Sequence, residues 1–185
     1  MIKSFRYASL ALIAFVIISC SQKIGLDAVS LPPIVNVDTI AQKYNIQMDF
    51  MKHHLSGILI VRRMTDKEIR IVCSTYFGPS LFDLSLQGDS LKVNSCMEPM
   101  RKKNVLHLLE ADFNAIFLSQ KTFKIKKKED NFEKRTKGCG FSKSIIKLSK
   151  FARGYPECIC IKHPWIWTKI RLEKLNESTE TNDAE

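Results

Sequence analysis

The chain has 185 residues and a formal charge of +10, with 45% of its residues hydrophobic. That length fits a single domain with its own core. No Gly-rich phosphate loop, nucleophile elbow or zinc-ligand spacing occurs, which argues against nucleotide, serine-hydrolase and zinc chemistry. No enzymatic activity, cofactor or metal is therefore expected.

Residues 1–19 carry Lys3 and Arg6 ahead of an apolar stretch from Ala8 to Ile18. This is the charged-then-apolar order of a signal peptide, shorter than a membrane-spanning helix needs. The segment Ile17-Ile18-Ser19-Cys20 resembles the bacterial lipoprotein signal. The resemblance implies cleavage before Cys20 and acyl chains, palmitate among them, on its sulfur and amine. Such chains anchor through about 0.8 kcal/mol per buried CH₂. Ser21-Gln22-Lys23 lack the aspartate of inner-membrane retention, so the expected location is the outer membrane, facing the periplasm. Export makes nucleic acid an unexpected partner, whereas a basic surface suits anionic head groups. Residues 20–37 read as the acylated cysteine and a tether, stiffened by Pro32-Pro33. A single domain is expected over 38–175.

Residues 39–44 read as one or two helical turns capped by Asp38, and 46–50 as a strand. His53-His54 are expected to be structural, buried or hydrogen-bonded. From Leu55 to Cys96 apolar segments are broken at Thr65-Asp66-Lys67, Gly78-Pro79 and Gly88-Asp89. Strands joined by such short turns pair antiparallel. Ile69, Ile71 and Cys73 share a face, as do Phe82, Leu84 and Leu86. In 56–63 both faces are apolar, Ile58 and Ile60 on one and Leu59 and Val61 on the other. A strand covered on both sides explains that pattern. Tyr76-Phe77 either cover the end of the sheet, the preferred reading, or stand exposed to a partner or membrane.

From Asn104 the period changes. Val105, Leu108, Leu109, Phe113 and Ile116 recur at three and four, which predicts a helix over 104–118 with Asn104 as its cap. Its apolar stripe is available to cover one face of the sheet. Residues 121–137 are strongly basic and include Lys121, Lys124, Lys126 and Lys128. They read either as a solvated edge strand guarded by lysines or as a surface for phospholipid or an acidic partner. Strands follow at 144–150, 158–162 and 167–175. Trp165 and Trp167 either pack on the core or line the mouth of a cavity. The acidic tail 176–185 reads as disordered. Cys73, Cys96, Cys139, Cys158 and Cys160 are either disulfide partners or small buried hydrophobes. Cys158 and Cys160 share a face, so each looks to a neighbouring strand rather than to the other. His107 stands at no helical spacing from Asp112, and its pairing with Asp83 has no motif behind it.

The segments Ser56–Arg63, Phe77–Asp83 and Ile161–Trp165 resemble small outer-membrane lipoproteins of Bacteroidota. Those are similar in turn to the superfamily of the periplasmic lipoprotein carrier and its outer-membrane receptor. The resemblance implies a mainly β, α+β fold: a strongly curved, unclosed antiparallel sheet, a half-barrel covered on its concave side by helix. It implies a non-catalytic protein that binds or transfers acyl chains or lipoprotein lipid. The cavity residues expected on that basis are Ile58, Ile60, Phe82, Leu84, Leu109, Phe113 and Trp167. Membrane or partner contact is expected at Tyr76, Phe77, Lys124, Lys126 and Lys128. The alternative is an accessory subunit of an outer-membrane complex with a filled core.

Overall fold

The structure, a computed structural model, describes residues 31–50, 53–118 and 123–175. Cys20, the signal peptide over 1–19, the first part of the tether, Lys121 and the acidic tail lie outside the described residues.

Ten strands form one antiparallel sheet: β1 (Gln42–Phe50), β2 (His53–Thr65), β3 (Glu68–Ser74), β4 (Ser80–Gln87), β5 (Ser90–Cys96), β6 (Lys124–Glu129), β7 (Phe132–Lys137), β8 (Ser144–Ala152), β9 (Tyr155–His163) and β10 (Thr168–Lys174). Helix α1 (Lys103–Phe117) joins β5 to β6. The order across the sheet is β5-β4-β3-β2-β1-β10-β9-β8-β7-β6. Each half is a meander of consecutive strands, and β1 and β10 pair at the seam. The sheet is not closed, because β5 and β6 remain its two edges. Among the described residues the fold is thus mostly β with one α-helix; the antiparallel pairing is what the short turns predict, and the unclosed sheet is what the resemblance implies.

Register shows how the core is built. On one face, Tyr44 stands opposite Leu59, Leu59 opposite Cys73, and Cys73 opposite Phe82. From β1 in the other direction, Met48, Ile170, Ile161, Ile146 and Arg135 form one row. Ile46, Leu172, Ile159, Leu148 and Glu133 form the next. These side chains are buried, and the apolar rows end in a charged pair on β7. Edge strand β6 is exposed along its whole length, and its lysines discourage pairing with another chain.

Several expectations change. Residues 39–44 form no helix, because β1 begins at Gln42 and Tyr44 is already in the ladder. The helix starts one residue earlier than expected, and Lys102, not Asn104, holds the cap position without a side-chain cap bond. The latter part of the tether belongs to the domain. Ile34, Val35 and Val37 are in the core, and the N–H groups of Ile34 and Val35 both donate to the Ile116 carbonyl, at 2.9 and 3.1 Å. A carbonyl in the last helical turn has no partner within its own helix, so this strap supplies the missing donors. No disulfide joins the described cysteines. Cys73, Cys96 and Cys158 are buried, and burial pushes the Cys73 thiol up to about 12.

Gly57 stands opposite Ile46 on the core side of β2. A Cβ there would collide with the Ser74 carbonyl oxygen of β3. Gly57→Ala is expected to cost about 1–3 kcal/mol, the usual penalty of overpacking. It should appear as a lower urea midpoint at unchanged slope. An unchanged midpoint would contradict the close approach.

Candidate functional site

Helix α1 is held to the sheet by apolar contact on one side and polar contact on the other. The Phe113 ring lies 6.1 Å from that of Phe82 on β4 and 5.9 Å from that of Phe117. The neighbouring residue, Asp112, turns the other way. His163 Nε2 at the end of β9 lies 2.9 Å from Asp112 Oδ1 and 3.1 Å from Oδ2. Both side chains are buried. Burial raises the Asp112 carboxyl above its ordinary range, and the hydrogen bond and charge of His163, with Lys137 beyond, partly offset this. When the carboxylate is ionised only the ring N–H can donate, which fixes the tautomer. The helix also reaches the β4–β5 turn: Leu91 N–H donates to Glu110 Oε1 at 2.9 Å, and Asn114 Nδ2 donates to the Asp89 carbonyl at 2.7 Å.

A second buried polar pair sits on β7. Arg135 Nε donates to Glu133 Oε1 at 2.5 Å, with about a tenth of either side chain exposed. The two residues line a cleft of about 1030 Å³. Its walls are the strap residues Pro32, Pro33, Ile34 and Asn36, the β6–β7 turn at 128–130, and the β8–β9 turn at 153–156. Leu148 and Phe151 add apolar surface. A second cleft of about 580 Å³ shares Asn36, Arg153, Tyr155 and Pro156 with the first and is lined also by Val35, Gln42 and Tyr44.

The residues predicted to line a cavity lie elsewhere. Phe82, Leu84, Leu109 and Phe113 are fully buried members of the packed core. Ile58 and Ile60 are half-buried on the opposite face of β2, while Leu59 and Val61 point inward. Trp167 is 82% exposed in the β9–β10 turn. None of the seven lines either cleft. Of the β3–β4 turn aromatics, Tyr76 reaches back over the sheet to β1 and Phe77 covers nothing. Phe77 is 95% exposed, and the Tyr76 hydroxyl reaches Asn45 Oδ1 at 3.3 Å. Lys124, Lys126 and Lys128 lie exposed on edge strand β6, and Lys128 also lines the larger cleft.

Of the histidines, His54 and His107 follow the sequence reading and His53 departs from it. His54 is hydrogen-bonded to Asp49 at 2.7 Å yet exposed, and His53 is exposed. Asp83 is gripped by Arg70 through two hydrogen bonds, at 3.1 and 2.6 Å. The Arg70 guanidinium, helped by Asn94, holds its carboxyl below the usual range. His107 faces Glu110 at 3.4 Å, so neither Asp83 nor Asp112 has it as a partner. The Asp112–His163 and Glu133–Arg135 pairs were missed. For the second, a period-two signal existed: Glu133, Arg135 and Lys137 alternate with Phe132, Lys134 and Thr136. Charged residues hold the inward positions, so no apolar period marks that face.

No family model matches the chain, and no curated protein matches it. Among solved structures, the crystal structure of a LolA superfamily protein from Nitrosomonas europaea is similar. It is 9% identical, with 75% of this chain and 84% of that chain covered and a TM-score of 0.41.

Two measurements probe the buried pairs. Glu133→Ala removes the partner of a charge whose other contact is the cleft, with an expected cost of about 1–3 kcal/mol. Replacing both residues by apolar ones of similar size should recover most of that loss in chemical denaturation, and failure to recover would mean the pair is needed for more than neutrality. A raised carboxyl favours folding only while protonated in both states. The Asp112 contribution is therefore fully present below the ordinary value of 3.8 and is lost as pH rises through the raised folded value. Asp112→Asn should gain stability relative to the unaltered chain over that rise, and a constant difference would disprove the shift.

Proposed function

We propose that the chain is a non-catalytic lipoprotein of the cell envelope, anchored through Cys20 in the outer membrane and facing the periplasm, that binds or transfers an apolar ligand such as an acyl chain. In this reading the sheet is a strongly curved half-barrel with α1 on its concave side. The contacts of Asp112 and Phe113 support the curvature. These consecutive residues reach β9 and β4, which four strands separate. In a flat sheet those strands would stand about 24 Å apart at roughly 4.8 Å per spacing. Bending brings both within reach of one helical turn.

The observation that carries the ligand reading is the cleft of about 1030 Å³ beside the strap. Its floor is continuous with the core through Ile34 and Leu148, and Phe151 packs against that core. Lys128, Arg135 and Arg153 stand around it with Glu129, Asp130 and Glu133. An apolar tail would lie on the floor and a polar head would meet the charged rim, the usual division of a small-ligand site. The ligand site thus shifts from Phe82 and Leu84 to the strap end of the sheet.

A second reading, an accessory subunit without a ligand, draws support from the close packing of Phe82, Leu84, Leu109 and Phe113. Titration of a fluorescent fatty acid into the Cys20→Ser chain separates the two. Saturable binding, displaced by unlabelled fatty acid and weakened roughly tenfold or more by Phe151→Asp, is expected for a ligand site. Absence of binding, together with a discrete crosslinked partner in intact envelopes, would favour the accessory subunit.

A further inference from the structure

We propose that the end of the sheet bearing the β7–β8 and β9–β10 turns docks on an anionic phospholipid surface. The register places these turns side by side. Ser144 stands opposite Lys137, Ile145 opposite Lys162, and His163 opposite Thr168. The first turn presents Phe141 and the second presents Trp165 and Trp167. Phe141 and Trp165 lie 5.3 Å apart between ring centroids, yet remain 76% and 54% exposed. The contact therefore leaves most of the apolar surface of both rings in water.

Trp167 adds a second observation. Its φ is +53°, a left-handed conformation that costs an L-residue with a bulky side chain and favours glycine. The indole is exposed there and covers nothing in the core, so packing does not account for an aromatic at this strained position. Indoles suit a boundary where the ring meets acyl chains and the N–H meets water.

Charge selects the kind of surface. Lys143 and Lys162 flank the aromatics, and neither 137–144 nor 162–169 contains a carboxylate; Lys169 has Asp49 as its register partner on β1. Arg101 and Lys102, just ahead of α1, are exposed together with Glu98 beside the end of β5, which lies at the same end of the sheet, so that stretch is net basic. The turns at the other end are different: they carry Asp66, Lys67, Asp89, Asp130, Asn131 and Arg153, with charges of both signs. An apolar rim with basic flanks matches an anionic membrane, each cation near the surface adding to attraction. The cleft lies at the polar end, so docking leaves it facing away from the membrane, and the proposal does not depend on a ligand there.

Trp165 and Trp167 are the chain's two tryptophans, so intrinsic fluorescence reports this rim alone. The full chain is to be reconstituted on vesicles of phosphatidylcholine alone and of phosphatidylcholine with phosphatidylglycerol. Expected on the anionic vesicles are a blue-shifted emission, protection from acrylamide and quenching by brominated acyl chains. Replacing both Lys143→Gln and Lys162→Gln should reduce the ratio of docked to undocked protein on the order of 25-fold, taking about fivefold per lysine. Emission that stays red and accessible on both vesicles would overturn the proposal. So would equal burial on neutral and anionic lipid. A blue shift that follows protein concentration without vesicles would assign the rim to a second copy instead, and would also overturn it.

Discussion

The attachment of one helix to two halves of a sheet is the constraint on which the remainder of this structure depends. Each half of the sheet has its own hairpins, and nothing in the ladder of either half involves the other except at the β1–β10 seam. Helix α1 gives both halves a common surface. Phe113 commits it to the β4 side, Asp112 ties it to β9, and the Ile116 carbonyl receives the strap. These contacts differ in kind. The aromatic contact is non-directional and tolerates small shifts, whereas a buried carboxylate on an imidazole is costly to leave unmatched. The polar tie therefore specifies where the helix sits, and the apolar surface supplies most of the favourable energy.

The same division runs across the inner face. Apolar rows begin at β1 and pass through β10, β9 and β8 before ending at Arg135 and Glu133. A row that ends in charge cannot be extended by more core, since the next strand would have to bury or satisfy it. The cleft beside β7 lies where the rows end, and water or a polar head group can meet the charges there. The strap over 32–37 limits how far that opening extends, because its apolar side chains close the helix end while its prolines face the cleft.

Much of the architecture was legible in the residues. Ile69, Ile71 and Cys73 alternate cleanly, and the structure buries all three. The tight polar turns fixed the meander over 55–96, and the three-and-four spacing from Val105 to Ile116 fixed the helix. The candidate site was less legible, for identifiable reasons. Strand β2 is apolar on both faces, so its pattern could not choose between Ile58 and Leu59. On β7 the inward positions Glu133 and Arg135 are charged, so no apolar alternation marks its buried side. The prolines at 32 and 33 concealed the apolar Ile34 and Val35 that follow. The partner of His163 lies 51 residues away, a distance across which local periodicity carries no information.

The strand order has a further consequence for how the chain reaches this state. Eight of the nine strand pairings join strands consecutive in the chain, so either meander can assemble through local loop closures. Only the β1–β10 seam joins distant positions, with Tyr44 facing Lys174. Loop closure is paid late and once, at the centre of the sheet rather than at its margin. Until β10 arrives, β1 presents an unpaired edge carrying the buried Tyr44, Ile46 and Met48, so the two strands at the centre of the sheet are the last to gain both of their neighbours.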